Sequence, residues 1–351
     1  MNAQLLKKHL NETPRMAPTD AVKLAYQCAF GCGHLLSARD CCADFVCREM
    51  QSVPERNLPP FTPIGRGLCR LNLAAPDVRR LPAEMIADMM IITNEKVLAR
   101  SDNAAAFEES LALLEELAEV GETPFTAQEL SAYLASYRAQ GCPAVSHSPL
   151  YRESYHPAYR VVLSDFGVLL PLILRMNEAP CLAVIDGPCG SGKTTLAGLL
   201  AALYGTTPIP MDDFFLPFDM RTEKRMSEAG GNIHHERFSE EILAHIQLGK
   251  PLAYRRFDCH TGQIIPRQIA ASDVMIIEGS YSHHPAFEAA YEQLGVIRVC
   301  IGVEEDEQLR RLARRDAGMF SRFVETWIPL EKKYFQAYDI LGRAHVSITS
   351  A

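Results

Sequence analysis

Through most of the first 160 residues, apolar positions recur at three- and four-residue spacing, which is typical of amphipathic helices. This pattern predicts helices over residues 20–36, 82–100, 104–120 and 126–140. Thr126 followed by Glu129 is the signature of a helix capping box. The proline-rich residues 53–63 indicate a loop, and the irregular residues 145–160 indicate a domain boundary. Residues 161–176 are predicted to form one apolar helix, either continuous or broken at Pro171.

The pattern changes after residue 180, where short, almost entirely apolar runs alternate with helical segments. Such runs are typical of parallel strands that are covered on both faces. The predicted strands are residues 181–186, 208–211, 274–277, 296–301 and, more weakly, 345–349. The predicted helices are residues 194–204, 239–248, 304–315 and 320–337. The alternation predicts a three-layer α/β domain with a parallel sheet over residues 179–351. Before it we expect a mostly α-helical domain over residues 1–160 and a connecting helix over 161–178.

Composition narrows the class of protein. The 351 residues are 48% hydrophobic and 22% charged, as in globular proteins with large cores. The net charge of −8 is spread over both halves without a basic block, so we expect no nucleic-acid partner. The sequence contains neither an apolar run of membrane-spanning length nor a signal peptide, so we expect no membrane partner. Eleven cysteines without a secretory signal favour reduced thiols and a cytoplasmic location.

Residues 187–194, GPCGSGKT, match the phosphate-binding pattern G-x-x-x-x-G-K-[ST] in full. The motif lies between a predicted strand and a predicted helix, as its mechanism requires, because backbone N–H groups and the helix N-terminus together hold phosphate. It predicts binding of a nucleoside triphosphate, ATP or GTP, with Mg²⁺. The expected binding residues are Gly187, Gly190, Ser191, Gly192, Lys193, Thr194 and Thr195.

Acidic and basic residues further along the chain suggest phosphoryl transfer. Asp212 in MDDFF follows the second predicted strand, where a carboxylate can accept the proton of an attacking hydroxyl. Glu278 ends a buried strand, a place typical of a magnesium-binding acid. The predicted helix over residues 304–315 carries four arginines that can close on a transferring phosphoryl group, namely Arg310, Arg311, Arg314 and Arg315. A turn after a strand and a solvated basic helix face are the structural alternatives.

Together, the segments GPCGSGKTT, MDDFF, IIEGSY and RRLARRD resemble the uridine kinase and phosphoribulokinase group of P-loop kinases over about residues 180–350. The whole chain resembles bacterial uridine kinase-like proteins that have an extra N-terminal helical domain. The resemblance implies that Asp212 is the catalytic base and that Thr194 and Glu278, with Asp212, hold Mg²⁺. It further implies that Lys193, Arg311 and Arg315 act on the transferred group while Arg310 and Arg314 hold nucleotide phosphates.

The acceptor is less well defined. Uridine kinases have an Asn-Phe-Asp-His stretch, whereas this chain has Asn-Ile-His-His at residues 232–235. Candidate residues for the acceptor pocket are His234, Arg237, Tyr254, Asp258 and His260, with a structural loop as the alternative for residues 254–260. A nucleoside, a pantothenate-like alcohol and another sugar all remain open as acceptors.

These features predict an ATP-dependent kinase with a small-molecule hydroxyl acceptor. A homodimer is a possible assembly of the chain. One alternative is an ATP-binding regulatory protein. Another is a bifunctional enzyme with a second activity near His34, which follows the glycine-flanked turn FGCGH. In that half of the chain, the glycine-bearing residues 63–73 form a possible anion site with several polar side chains. The residues proposed for it are Arg66, Arg70, His147, Arg152, Tyr155, Tyr159 and Arg160.

Overall fold

A computed structural model describes residues 1–36 and 38–350 of the chain. The chain divides into two units, Met1–Gly167 and Val168–Ala351. Within the described residues, no helix is at once long enough and apolar enough to cross a membrane.

The N-terminal unit combines helices with a small antiparallel sheet. Its helices are α1 (Ala3–Glu12), α2 (Pro18–Phe30), α3 (Arg39–Ser52), α4 (Pro76–Arg79), α5 (Ala83–Leu98), α6 (Asn103–Glu119), α7 (Ala127–Ala139) and α8 (Pro149–Tyr155). Its strands are β1 (Phe61–Gly65), β2 (Leu68–Asn72) and β3 (Tyr159–Leu163), in the order β1-β2-β3. The four helices predicted from periodicity are present, with shifted ends. The capping box is confirmed, since the Thr126 hydroxyl accepts from the Glu129 N–H at 3.2 Å and the Glu129 carboxylate accepts from the Thr126 N–H at 2.7 Å.

Two predictions for the N-terminal unit are wrong, because segments predicted as loop and as helix form strands of this sheet. Residues 61–63, predicted as loop, lie in edge strand β1, where Pro63 is tolerated because an edge strand need not donate every N–H. Residues 161–163, predicted as the start of the connecting helix, belong to β3, where Val162 pairs with Cys69 of β2. A short apolar run fits a helix and a strand equally well, and here the neighbouring strand decides. The following helix α9 (Asp165–Met176) contains Pro171 in its interior.

The C-terminal unit is an α/β structure, as predicted. Its strands are β4 (Cys181–Asp186), β5 (Ile209–Pro210), β6 (Leu252–Asp258), β7 (Gln263–Ile269), β8 (Val274–Glu278), β9 (Ile297–Val303) and β10 (Val346–Ser350). Its helices are α10 (Lys193–Tyr204), α11 (Glu223–Ser227), α12 (His235–Phe238), α13 (Glu288–Leu294), α14 (Glu305–Arg315), α15 (Phe320–Arg322) and α16 (Ile328–Tyr338). All five predicted strands form one parallel sheet in the order β10-β9-β4-β8-β5.

The order of the strands locates the functional edge of this sheet. Strand β4 lies at the centre, with β8 and then β5 on one side of it and β9 and then β10 on the other. Ligands of open α/β sheets bind at the carboxyl end of the strand where the direction of growth reverses. That end of β4 leads directly into the glycine-rich loop at residues 187–192.

Strands β6 and β7 form a separate antiparallel hairpin that the sequence analysis does not predict. The buried side chains Leu252 and Tyr254 belong to one face of β6, and the exposed Arg255 belongs to the other. A helix is predicted over residues 239–248. The structure has only a π-helical turn there, over Ser239–Leu243, which continues α12. The hairpin packs against the turn that carries Asp212 and Asp213.

Candidate functional site

The glycine-rich loop turns sharply between β4 and α10. Gly187, Gly190 and Gly192 all have positive φ angles, of 153°, 76° and 93°. At Gly187 a Cβ atom would lie 2.2 Å from the carbonyl oxygen of Ile301 in β9, so only glycine fits there. The motif therefore has the backbone conformation that directs N–H groups toward a phosphate.

Lys193 begins α10 and is 7% exposed. Its ammonium group donates to the carbonyl oxygens of Gly187 at 2.7 Å and Pro188 at 2.9 Å, and to the Ser280 hydroxyl at 3.2 Å. These contacts hold its charge beside the loop and the helix N-terminus. Ser191 is buried, and among the described residues its hydroxyl has no hydrogen-bond partner, whereas Thr195 is exposed.

Two buried carboxylates hold the glycine-rich loop by accepting hydrogen bonds from its backbone. Asp186, fully buried at the end of β4, accepts from the N–H groups of Gly187 at 2.7 Å and His283 at 2.8 Å. It also accepts from the Tyr334 hydroxyl of α16 at 2.8 Å. Glu331 of α16 accepts from the Cys189 N–H at 2.8 Å and the Ser280 hydroxyl at 2.6 Å. Sequence reasoning gives neither acid a role, because their partners are distant in sequence.

Glu278 ends β8 beside the loop and is 6% exposed. Its carboxylate accepts from the Thr194 hydroxyl at 3.1 Å. Burial raises the pKa of Glu278, and the neighbouring Asp212 raises it further, while Lys193 and Thr194 act in the opposite direction. A hydroxyl oxygen and two carboxylates are ligands that suit Mg²⁺, so Thr194, Glu278 and Asp212 fit this ion chemically.

Asp212 and Asp213 lie in the 3₁₀ turn Met211–Phe214 that follows β5, yet they have different surroundings. Asp213 is 8% exposed, and its carboxylate accepts from the Tyr254 hydroxyl at 2.6 Å and from Arg267 at 2.9 Å. Asp212 has a solvent-exposed surface, although protein surrounds the rest of the side chain. This burial raises the pKa of Asp212, against the effects of Lys193 and Arg315. Asp212 therefore faces the phosphate loop, whereas Asp213 anchors the turn to the hairpin.

The four arginines of α14 divide into two pairs. Arg311 donates to the Gly190 carbonyl oxygen at 3.3 Å, and Arg315 lies one turn later, close enough to influence the pKa of Asp212. Arg310 and Arg311 both pair with Glu307, at 2.6 Å and 2.7 Å, but the Arg310 side chain is 74% exposed and that of Arg311 only 21%. Arg314 and Arg315 are both exposed. The structure thus brings Arg311 and Arg315 to the loop, and leaves Arg310 and Arg314 on the solvent side.

The residues predicted for the acceptor pocket do not form one surface. Tyr254 and Arg237 are 4% and 5% exposed, and both bind Asp213: Tyr254 its carboxylate and Arg237 its carbonyl oxygen at 2.6 Å. His234 caps α12, where its Nδ1 accepts from the Arg237 N–H at 3.3 Å. Asp258 accepts from the His260 N–H at 2.9 Å and closes the hairpin turn. Tyr254 and Arg237 thus support Asp213 from the protein interior, and their role in acceptor binding stays a prediction.

The turn between β6 and β7 brings other side chains toward Asp212. His260 is exposed in this turn, next to Cys259. Burial raises the pKa of the Cys259 thiol, with Arg221 lowering it and Asp212 raising it, so all three groups lie near one another. Sequence reasoning did not single out Arg221 or Cys259, since their proximity depends on the hairpin that it did not predict.

The five-stranded parallel sheet and the glycine-rich loop between β4 and α10 define a P-loop protein. The sequence matches no protein-family model and no curated protein. Among solved structures, a "possible uridine kinase" from Bacillus stearothermophilus is 19% identical, with a TM-score of 0.40 and coverage of 53% of this chain and 97% of its own. A "putative fructose transport system kinase" from Silicibacter sp. TM1040 is 20% identical, with a TM-score of 0.35 and coverage of 48% and 89%. At these values neither likeness specifies a substrate.

Proposed function

We propose that the C-terminal unit is an ATP-dependent kinase that transfers the γ-phosphoryl group of ATP to a hydroxyl of a nucleoside or similar small metabolite. The observation that carries this proposal is the division of labour between Asp212 and Asp213. Tyr254 and Arg267 bind the carboxylate of Asp213. Asp212 is left beside Lys193 and open to solvent, as a base for an incoming hydroxyl requires.

The loop and its neighbours account for nucleotide binding. Backbone N–H groups of residues 187–192 and the N-terminus of α10 hold the phosphates, and Lys193 adds a positive charge. Thr194 and Glu278 would hold Mg²⁺, with Asp212 as a further oxygen ligand. When bound, this ion neutralises charge on the β- and γ-phosphate oxygens.

In the proposed reaction the acceptor hydroxyl oxygen attacks the γ-phosphorus atom, and the bond from that atom to the β–γ bridging oxygen breaks. Asp212 takes the hydroxyl proton, and ADP leaves. The raised pKa of Asp212 increases its basicity toward this proton. Arg311 and Arg315 stabilise the negative charge on the transferring group, because planar guanidinium groups offer several donors.

The acceptor is proposed to bind between Asp212 and the hairpin turn. Arg221 and Cys259 are near Asp212, and His260 follows Cys259 in the exposed turn, so the three residues offer a cation, a thiol and an imidazole to a polar metabolite. This set suits a ligand with several hydroxyl groups, such as a nucleoside or a sugar. Tyr254 and Arg237 would act on it only through Asp213.

The first test is release of ADP from Mg-ATP with a panel of nucleosides, sugars, pantothenate and other small alcohols. The Lys193→Ala variant is the blank, because it lacks the phosphate-binding ammonium group. We expect one class of acceptor to stimulate ADP release in the natural sequence and not in the blank. Slow hydrolysis that no acceptor changes would instead favour an ATP-binding regulatory protein.

A second test addresses the base. Asp212→Asn should lower kcat by about 10²–10⁴-fold, the usual effect of losing a positioned base, with ATP binding retained. Asp219→Asn, at an exposed position seven residues later, is the matched control and should keep full activity. A fully active Asp212→Asn enzyme that binds ATP normally would exclude Asp212 as the base.

A further inference from the structure

The N-terminal unit contains a network of polar side chains that the proposed kinase reaction does not use. Asp20 of α2 is fully buried and accepts from Nδ1 of His147 at 2.8 Å. It also accepts from the N–H of Ser148 at 2.8 Å and from its hydroxyl at 2.6 Å. On the other side of the imidazole ring, Nε2 of His147 lies 2.6 Å from the Tyr159 hydroxyl of β3. A chain of hydrogen bonds thus runs from a buried acid to a half-buried phenol.

The direction of these bonds follows from the charge on Asp20. Burial raises the pKa of Asp20, but the hydrogen bonds from His147 and Ser148 outweigh it and leave the pKa below its usual value. Asp20 is therefore an ionised acceptor, and Nδ1 of His147 carries the proton. Burial lowers the pKa of His147 to about 4, so the ring is neutral and its Nε2 accepts from Tyr159.

Three cationic side chains lie near this series of hydrogen bonds. The Lys23 ammonium group donates to the Val145 carbonyl oxygen at 2.9 Å, and Arg152 donates to the His147 carbonyl oxygen at 3.1 Å. Both groups therefore bind the same segment, two residues apart. The third cation, Arg70 of β2, stacks on the Tyr159 ring, with 4.4 Å from its Cζ to the ring centroid.

The three cations face one carboxylate, that of Asp20, which leaves an excess of two positive charges. Burial lowers the pKa of Lys23 to about 8, and repulsion from Arg70 and Arg152 contributes. Arg70 is 5% exposed, and its Nε has no hydrogen-bond partner among the described residues. Arg70 is the buried cation of the three and donates to the neutral Gln27 side chain at 3.1 Å, and a buried cation is stabilised by negative charge nearby.

The cluster is accessible from the surface. Arg152 is exposed, and Lys23 and Tyr159 are half-buried. His34, singled out by its glycine-flanked turn, is exposed as well, and its pKa is lowered by partial burial and by the nearby Lys23. A small anion can therefore reach the three cations without unfolding the unit.

We propose that Lys23, Arg70 and Arg152 form a binding site for a phosphate group, with Arg70 held against the ring of Tyr159, whose hydroxyl donates to His147. A phosphate monoester carries about −1.5 to −2 charge at pH 7 and three strong acceptor oxygens, which match the excess charge and the donors present. Asp20 and His147 are positioning residues in this site. This site lies wholly within the N-terminal unit and does not depend on the proposed kinase activity.

The test is equilibrium dialysis of radiolabelled inorganic phosphate against the full chain carrying Lys193→Ala, which weakens binding by the glycine-rich loop. We expect one phosphate per chain, with the Kd raised at least tenfold by Lys23→Met and by Arg152→Met. The matched controls Lys8→Met and Arg48→Met, at exposed positions of the same unit, should leave the Kd unchanged. Arg152 is exposed, so its replacement should not prevent folding, which circular dichroism checks.

Competition then identifies the form of the ligand. Ribose 5-phosphate should displace the label more strongly than unlabelled phosphate if the site takes a monoester, and equally if it takes free phosphate. Acetate should not compete. Absence of bound phosphate, binding that both Lys23→Met and Arg152→Met leave intact, or equal competition by acetate would each overturn the proposal.

Discussion

Tyr254→Phe tests how the β6–β7 hairpin supports the turn that carries Asp212, the proposed base. Tyr254 of β6 donates a hydrogen bond of 2.6 Å to the Asp213 carboxylate, and both residues are buried. Burial, together with Asp213, raises the pKa of Tyr254, so its hydroxyl remains a donor. Phenylalanine keeps the stacking on Phe214, whose ring centroid is 5.5 Å away, and removes only the hydroxyl.

The expected loss in the free energy of unfolding depends on the hydrogen bonds that the Asp213 carboxylate retains in the variant. A hydrogen bond to a charged group contributes about 1.5–3 kcal/mol, and loss of one partner costs most when the other group becomes unpaired. Arg267 still binds the Asp213 carboxylate at 2.9 Å in the variant. We therefore expect the lower end of the range, about 1.5–2 kcal/mol. For a unit of this size that corresponds to a decrease in Tm of about 3–8 °C.

The variant should also lose activity, and the loss should affect kcat and not the KM for ATP. Asp212 is the next residue to Asp213, so a shifted turn misplaces the base, and an error of about 1 Å costs up to about 10²-fold. We expect kcat to fall about tenfold for this milder change, with the KM for ATP unchanged, because the loop and Lys193 are not touched.

Thermal unfolding followed by circular dichroism measures the decrease in Tm. The transition to follow is the one whose Tm increases when Mg-ADP is added. Tyr204→Phe is the matched control, since its hydroxyl donates to the exposed Asn177 at 2.8 Å and should cost less than about 1 kcal/mol. An unchanged Tm for Tyr254→Phe, or a rise in the KM for ATP larger than the loss in kcat, would refute this account of the hairpin.

Two further predictions concern the phosphate loop and the arginines. Gly187→Ala should abolish ATP binding measured by calorimetry, because its Cβ would lie 2.2 Å from the Ile301 carbonyl oxygen, whereas Gly198→Ala, with no atom within 4 Å, should retain binding and add up to about 1 kcal/mol of stability. Normal affinity in Gly187→Ala would contradict the loop geometry. Arg311→Met should lower kcat by about 10²-fold and Arg310→Met should not, since only Arg311 contacts the loop; equal effects in steady-state assays would contradict this division.

The sequence was most informative where chemistry and local structure coincide. The phosphate loop was predictable residue by residue, because its glycines, Lys193 and Thr194 act through the backbone of one short segment. The parallel strands were predictable because β4, β8 and β9 are largely buried on both faces and are therefore mostly apolar. The carboxylates at the ends of β5 and β8 followed from those strands.

Features that depend on distant pairs were not predictable. The β6–β7 hairpin carries arginines on its exposed positions, and only its contact with Asp213 shows that Tyr254 faces inward. Strand β3 was predicted as helix because the run Val161–Leu163 is too short to show a period, and β2 provides its partner. The Lys23 and Arg70 cluster likewise joins α2 with β2, 47 residues apart in the numbering.

The bond from Glu331 to the Cys189 N–H has a consequence for the order of events on the ribosome. The two residues are 142 positions apart, so the phosphate loop is synthesised long before the carboxylate that holds it. At about 5–20 residues per second, about 7–28 s separate them. A nascent chain that already contains the whole motif is still without its support from α16. Competence to bind nucleotide should therefore arise late in translation, after the parallel sheet has begun to assemble.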